Sequence, residues 1–439
     1  MWLAIRAGVV FTALVAVIAP TAEARPGERR VSYSLPNGLR VRLVPDRDVD
    51  EVVVLLGVRG GFFAEPAGRP HLAHVAEHLI TLGASNGSEE AKDVARWFAG
   101  GRANAETLAH CMYFDLRVRP EDLPRALRLQ AARLTRPEFT PELLRQEVPR
   151  TLAELEHLER SALGGTGKFA LSGFAQASLH GQSQILLREA THKLTVADIQ
   201  DYWSRTSRPD RAILNVIGNF DSKVAREAIA KSFGTIPEPG ARPAGDEQVP
   251  RSCSSTWDVK TQHLLIAWKV PPPSDPDHSA LTLATLPLME RLQADPGLLR
   301  LARMPHATNE VDGLFILNAQ VKPGADLKAL EAQLLDQVQR LGQREGIGAA
   351  ELARARTWLM PSLRPESLVE GSRPLGVPRI LVQANLELQV MIREMAWGDL
   401  PSYAARVEAV SLDTARAAVS KHLNRRQAVI VRIAPSREL

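Results

Sequence analysis

The chain has 439 residues, of which 45% are hydrophobic and 24% charged, enough apolar material for more than one core. Its 54 Lys and Arg against 50 Asp and Glu give a formal charge of +4, and the cations are scattered rather than gathered in runs or interleaved with aromatics. That pattern argues against a nucleic-acid partner and for a solvated, mixed-charge exterior. Cys111 and Cys253 are the sole cysteines and fall in different halves, so a bridge between them is not expected.

The N-terminus carries Arg6, an apolar run from Ala7 to Ala19, then Pro20 and the small-residue pattern Ala22-Glu23-Ala24. This reads as a signal peptide over residues 1–24, with an exported, periplasmic or secreted chain and no membrane span after cleavage. An uncleaved anchor is the alternative. Val31 to Leu35, the turn Pro36-Asn37-Gly38, and Leu39 to Val44 alternate as a β-hairpin, and Val52 to Leu56 suits a strand buried on both faces. The pattern turns helical from Leu72 and again over Glu90 to Ala99, where Gly100-Gly101 would end the helix. Tyr113 to Val118 alternates as a strand; Pro120 to Leu134 and Pro141 to Arg160 read as helices, the second kinked at Pro149. Strands and helices mix without a regular βαβ beat, so the fold class is α+β with an antiparallel-rich sheet and helices packed on one side.

An internal echo follows. Thr195 leads through a capped helix to the strand ending near Ile217, and Ser411 leads likewise to Ile433, both pairs offset by 216 positions (411 − 195 and 433 − 217). A Ser or Thr with an acidic residue two or three places on starts each helix. Such a period implies two copies of one fold joined in the Pro/Gly-rich stretch Pro237 to Pro250, unless two similar helix-to-strand endings merely coincide.

His74-Val75-Ala76-Glu77-His78 places two imidazoles one helical turn apart on one face, with Glu77 beside them. Zinc at a catalytic site needs a third protein ligand, and Glu147 and Glu154, two turns apart on one helix, are candidates. Glu142, Glu156 and Glu159 read as solvated charge, and His157 is the weaker ligand candidate. A surface helix bearing two His and a Glu is the bland alternative.

The order His-x-x-Glu-His, followed by Glu147 and Glu154, resembles the pitrilysin/insulinase family of inverted zincins. Leu35 to Val41 is similar to that family's opening strand pair, Gly101 to Thr107 to its Gly-x-x-Asn-Ala-x-Thr segment, and Pro209 to Asp221 to the strand and turn closing its first domain. The resemblance implies two homologous α/β rolls enclosing a cavity, a zinc-binding peptidase domain over 27–240 and a second copy over 250–439. It implies one Zn²⁺ held by His74, His78 and Glu154, with Glu77 as general base for an attacking water and Glu147 orienting a ligand histidine. Asn104 and Ala105 would belong to an edge strand that receives peptides or unfolded polypeptides backbone to backbone.

Family members that act alone carry a Gly-rich Ser-Arg-Leu segment and a Tyr in the second half. Here the text is Met289-Glu290-Arg291-Leu292: Arg291 stands at the motif's arginine, the glycines are absent, and the tyrosines of the chain lie elsewhere, at 33, 113, 202 and 403. A paralogous partner subunit supplying the Arg/Tyr function is therefore expected; a non-catalytic scaffold subunit and a metal-dependent hydrolase of non-peptide substrates are the rival readings. His71, His110, His180 and His192 receive no role, Gly164 to Gly167 reads as a flexible loop, and Trp97, Trp203, Trp257, Trp268 and Trp397 read as core or domain-contact residues.

Overall fold

The structure is a computed structural model that describes residues 30–66, 69–83, 97, 100–108, 111–135, 137–160, 184–237, 252–257, 262–292, 298–308, 313–322, 324–364 and 378–435. The expected signal segment, nearly all of the helix expected over 90–99, the 164–167 loop and most of the 237–250 join lie outside the described residues. So does the side chain of His157.

Val31–Ser34 (β1) and Arg40–Pro45 (β2) form the hairpin, with Val31 opposite Leu43 and Ser34 opposite Arg40. Gly38 turns it at a φ of 88°, where a Cβ would also meet Asp210 Cβ at 2.8 Å. Val52–Arg59 (β3), Leu72–Gly83 (α1), Ala103–Thr107 (β4), Cys111–Val118 (β5), Leu123–Thr135 (α2) and Pro141–Arg160 (α3) follow. Gln184–His192 (α4), Val196–Thr206 (α5), Ala212–Gly218 (β6) and Ser222–Phe233 (α6) end the first half. The second half runs through Ser252–Trp257 (β7), His263–Val270 (β8), Pro276–Ala284 (α7), Leu286–Leu292 (α8), Leu298–Thr308 (β9) and Gly313–Val321 (β10). It continues with Leu327–Leu341 (α9), Ala349–Leu363 (α10), Arg379–Trp397 (α11), Leu400–Ala409 (α12), Leu412–His422 (α13) and Val429–Pro435 (β11).

The two sheets repeat one topology. The first has the order β1-β2-β6-β3-β5-β4 and the second β7-β11-β8-β10-β9. In each, a single parallel pair, β2 with β6 and β7 with β11, stands among antiparallel neighbours. Strands β2, β6, β3, β5 and β4 thus correspond to β7, β11, β8, β10 and β9, and β1 has no counterpart among the described residues. The echo has a local cause as well: Thr195 caps α5 through a box with Asp198, and Ser411 caps α13. In the second copy the box closes on the Thr414 hydroxyl rather than on Asp413.

Strand β3 shows why its text is apolar throughout. Val52, Val54, Leu56 and Val58 enter the core shared with α1 and α2. Val53 and Leu55 point the other way, onto Ile380 and Ala384 of α11. Helix α11 belongs to the second half of the sequence yet covers the back of the first sheet, and it approaches closely enough that a Cβ at Gly57 would lie 2.7 Å from Met391 Sδ. One face of that sheet therefore packs on helices of its own half and the other on a helix of the later half.

The second core encloses a polar group. His278 of α7 is fully buried, its Nδ1 2.8 Å from the Tyr403 hydroxyl. Burial, with the nearby Arg406 charge, lowers its pKa from the ordinary 6.5 to about 3. The folded state thus keeps this histidine neutral while the unfolded chain takes up a proton below 6.5, so its contribution to stability is complete above that pH and falls as pH drops toward 3. Between pH 6 and 4 the stability of the parent protein should decline more steeply than that of His278→Gln, by up to about 1.4 kcal/mol per pH unit. Urea titrations across that range measure the two slopes, and equal slopes would refute the assignment.

Candidate metal centre

Helix α1 forms because Leu72, Ala73, Val75, Ala76, Leu79 and Ile80 are buried together in the first core. Its start is held by a carboxylate from outside: Glu65 accepts the backbone N–H of His71 at 3.2 Å and of Ala73 at 2.7 Å. On the one polar stripe of the helix stand His74, Glu77 and His78, the first two buried and the third half-buried.

Helix α3 packs across α1 and brings two acids to that stripe. Glu154 Oε2 lies 3.5 Å from His74 Nε2 and 3.5 Å from His78 Nε2. Glu147, 1% exposed, receives His78 Nδ1 at 3.0 Å and is itself braced by Arg150. Thr107, the last residue of β4, donates its hydroxyl to Glu77 Oε2 at 2.9 Å. His74 Nδ1 meets His71 Nε2 at 2.9 Å.

Both histidines thus have Nδ1 occupied and Nε2 turned toward the same carboxylate oxygen. Ligand atoms on a tetrahedral zinc, each about 2.0–2.1 Å from the ion, sit roughly 3.4 Å apart. The two 3.5 Å separations match that spacing, and the three ligand atoms all lie within 4.8 Å of one another. The donor set of two imidazoles and a carboxylate fits Zn²⁺ and would accept Mn²⁺ or Co²⁺. Among the described residues, no other group of His, Cys, Asp or Glu side chains comes together in this way.

The electrostatics suit a cation. Burial opposes a charge on His78, but hydrogen bonds to Glu147 and Glu154 and the charge of Glu77 outweigh it and raise its pKa to about 10. Burial likewise opposes ionisation of Glu154, and the hydrogen bonds from His74 and His78 prevail, holding its carboxyl well below the carboxylate range. His71 is held well below the ordinary histidine value by burial and by the neighbouring His74 and His78. A group of carboxylates that recruits a proton onto His78 is one that a divalent cation can displace it from. Glu147→Gln, which weakens the acceptor on His78, is expected to lower zinc affinity by about 10–100-fold. Competition with a fluorescent chelator measures this, and an unchanged affinity would show that Glu147 does not orient the ligand.

The duplicated half lacks the constellation for a plain chemical reason. The sequence offset that carries Leu123 onto Leu327, the starts of α2 and α9, also carries His74 onto His278, Glu77 onto Leu281 and His78 onto Thr282. There Thr282 and His278 both bond the Tyr403 hydroxyl, at 2.8 Å each. A neutral hydrogen-bond knot stands where the first half gathers carboxylates.

The insulinase (peptidase family M16) model matches residues 40–164, and a second model, described as the peptidase M16 inactive domain, matches residues 193–359. This chain belongs to the pitrilysin/insulinase family. It is 36% identical over 132 residues to coenzyme PQQ synthesis protein F of Pseudomonas aeruginosa, a match covering 29% of this chain and 16% of that protein. It is 26% identical over 208 residues to a probable mitochondrial-processing peptidase subunit beta of Schizosaccharomyces pombe, covering 47% of this chain and 45% of that one. These matches span less than half the length of either relative. The fold is that of a protease from Helicobacter pylori, with a TM-score of 0.66 at 17% identity over 93% of this chain and 99% of the other.

On β4, the terminal strand of the first sheet, Asn104, exposed, and Ala105, half-buried, pair with Asp115 and Phe114 of β5, and the far edge of β4 has no strand partner among the described residues. Arg291 does not join the cluster by any described contact. In the last turn of α8 it is bonded to both Glu351 oxygens, at 2.8 and 2.7 Å, and to the Gly346 carbonyl, so a role toward substrate would require it to leave that clamp. Thr107, Glu65 and His71 join the site only in the folded structure: Thr107 lies in the Gly-x-x-Asn-Ala-x-Thr segment, whereas Glu65 and His71 carry no periodic signal in the sequence.

Proposed function

We propose that this chain is a zinc-dependent endopeptidase acting on peptides or unfolded polypeptides, with His74, His78 and Glu154 holding the ion and Glu77 as general acid and base. The observation that carries this reading is the pair of imidazole Nε2 atoms facing one Glu154 oxygen, each Nδ1 already engaged. A bound Zn²⁺ supplies a lowered pKa for water and polarisation of the scissile carbonyl. The protein's own contribution is geometric and acid–base. Thr107 fixes Glu77 Oε2, leaving Oε1 to take a proton from the attacking water and return it to the leaving amine. Glu147 holds the His78 ring in place. The free edge of β4, with Asn104 and Ala105, accepts the substrate as an added strand.

The chain would act as one subunit of a pair. Its tyrosines lie outside the segment where lone-acting relatives carry theirs, and Arg291 is committed to Glu351, so a paralogous partner supplies the Arg/Tyr function. Losing one donor to the developing oxyanion costs about 10²–10³-fold, so the isolated chain should turn over slowly. The leader at residues 1–24 would direct export to the periplasm or beyond, and the domains would span 27–240 and 250–439. No helix among the described residues is long and apolar enough to cross a membrane.

The match of residues 193–359 to a model described as an inactive domain favours a second reading, a non-catalytic subunit that uses the fold for assembly. Elemental analysis of protein purified without added metal, followed by a peptide-cleavage assay with and without co-exported partners, separates the two. One zinc per chain, lost in His74→Ala, with cleavage that chelation abolishes, supports the peptidase. Failure to bind zinc even when it is added would sink it, and zinc without cleavage under any pairing would leave the assembly role or a non-peptide substrate.

A further inference from the structure

His71 is the one described non-glycine residue in the left-handed region, with φ of 69°. A side chain at such a φ is unfavourable, and glycine would sit there without strain. The residue is nevertheless a histidine, 4% exposed, and its backbone N–H, its carbonyl and one ring nitrogen are all engaged. Its N–H goes to Glu65, its carbonyl accepts Val75 N–H at 3.1 Å, and its Nε2 lies 2.9 Å from His74 Nδ1. Strained, buried and over-determined backbone next to a reactive centre is where strain is retained for function.

We propose that His71 is a positioning residue that sets the tautomer of His74; the proposal rests on the metal site above. Two imidazole nitrogens in contact share one proton, so one must donate and the other accept. If His74 binds the ion through Nε2, its proton resides on Nδ1, and His71 Nε2 is the acceptor. The left-handed backbone at His71 stands immediately before α1, and its ring meets that of His74 edge to face with centroids 4.9 Å apart. His78 obtains the same service from the Glu147 carboxylate on α3. The two ligand histidines are thus oriented by different devices, one brought from a distant helix and one built into the helix start.

The test is His71→Gly, which removes the ring and relieves the backbone together. The metal-free variant should melt at the same temperature as the parent or higher, while zinc affinity falls about 10–100-fold, the loss typical of a deleted partner to a ligand histidine. Cobalt bound in place of zinc should show an altered visible spectrum, which a residue serving only the fold would not move. Equal zinc affinity and an equal cobalt spectrum in parent and variant would overturn the role of His71 while leaving the metal site standing. A parent protein that binds no zinc at all would bring down both.

Discussion

Glu77→Gln is expected to retain zinc near the parent affinity and to lose about 10²–10⁴-fold in peptide turnover, the range for removing a positioned general acid–base. Glu77 is not among the three ligand side chains that converge, so the ion's hold should survive the change. The amide oxygen can still accept from Thr107, as Glu77 Oε2 does now at 2.9 Å, so the side chain should stay in place. What disappears is the second oxygen's capacity to take a proton from water and return it to the amine. The contrast with His74→Ala is diagnostic, because that variant should lose metal and turnover together. Zinc content and kcat measured on the same preparations decide it; turnover within tenfold of the parent would mean that another group moves the proton.

Glu387→Ala should cost about 3–5 kcal/mol of stability, the penalty for stranding a charge in a broken buried pair. Glu387, its side chain 4% exposed, sits on α11 and faces Arg30 at 2.6 Å and Arg42 at 3.5 Å. Arg42, 10% exposed, is shared with Glu394 two turns further along the helix, at 2.5 Å. The network joins β2 of the first sheet to a helix from the second half, so the deletion takes from Arg30 its carboxylate at 2.6 Å and leaves Arg42 with Glu394 alone. Glu387→Gln, which can still accept from Arg30, should lose less. Denaturant unfolding of the two variants measures the difference; a loss below about 1 kcal/mol for Glu387→Ala would place this network with the weak surface pairs.

Much of the fold was written in local pattern. The Pro36-Asn37-Gly38 turn between alternating stretches reads as a hairpin because only glycine takes φ of 88° without penalty, and Gly38 does so. The echo between Thr195 and Ser411 was visible because a cap needs a hydroxyl at a fixed distance before a helix, wherever that helix packs. Strand β3 declared itself buried on both faces by being apolar at every position from Val52 to Leu56. What covered its second face was not legible. Helix α11 comes from residues 379–397, and an amphipathic helix does not state which sheet it will meet.

The sequence by itself determined that His74, Glu77 and His78 share a face, since residues three and four apart coincide on any α-helix. It also pointed to a doubled topology, because the capped helix-to-strand pattern recurs along it, and the repeated strand order of the two sheets bears this out. Tertiary structure alone decided the rest of the site. Glu154 and Glu147 reach α1 only because α3 crosses it, Thr107 reaches Glu77 only because β4 ends beside the helix, and Arg291 is held by Glu351 across a helix boundary. The role of His71 was hidden for a different reason. Its contact with His74 depends on a backbone angle that histidine rarely adopts, and local propensity points away from a conformation that only the surrounding packing can impose.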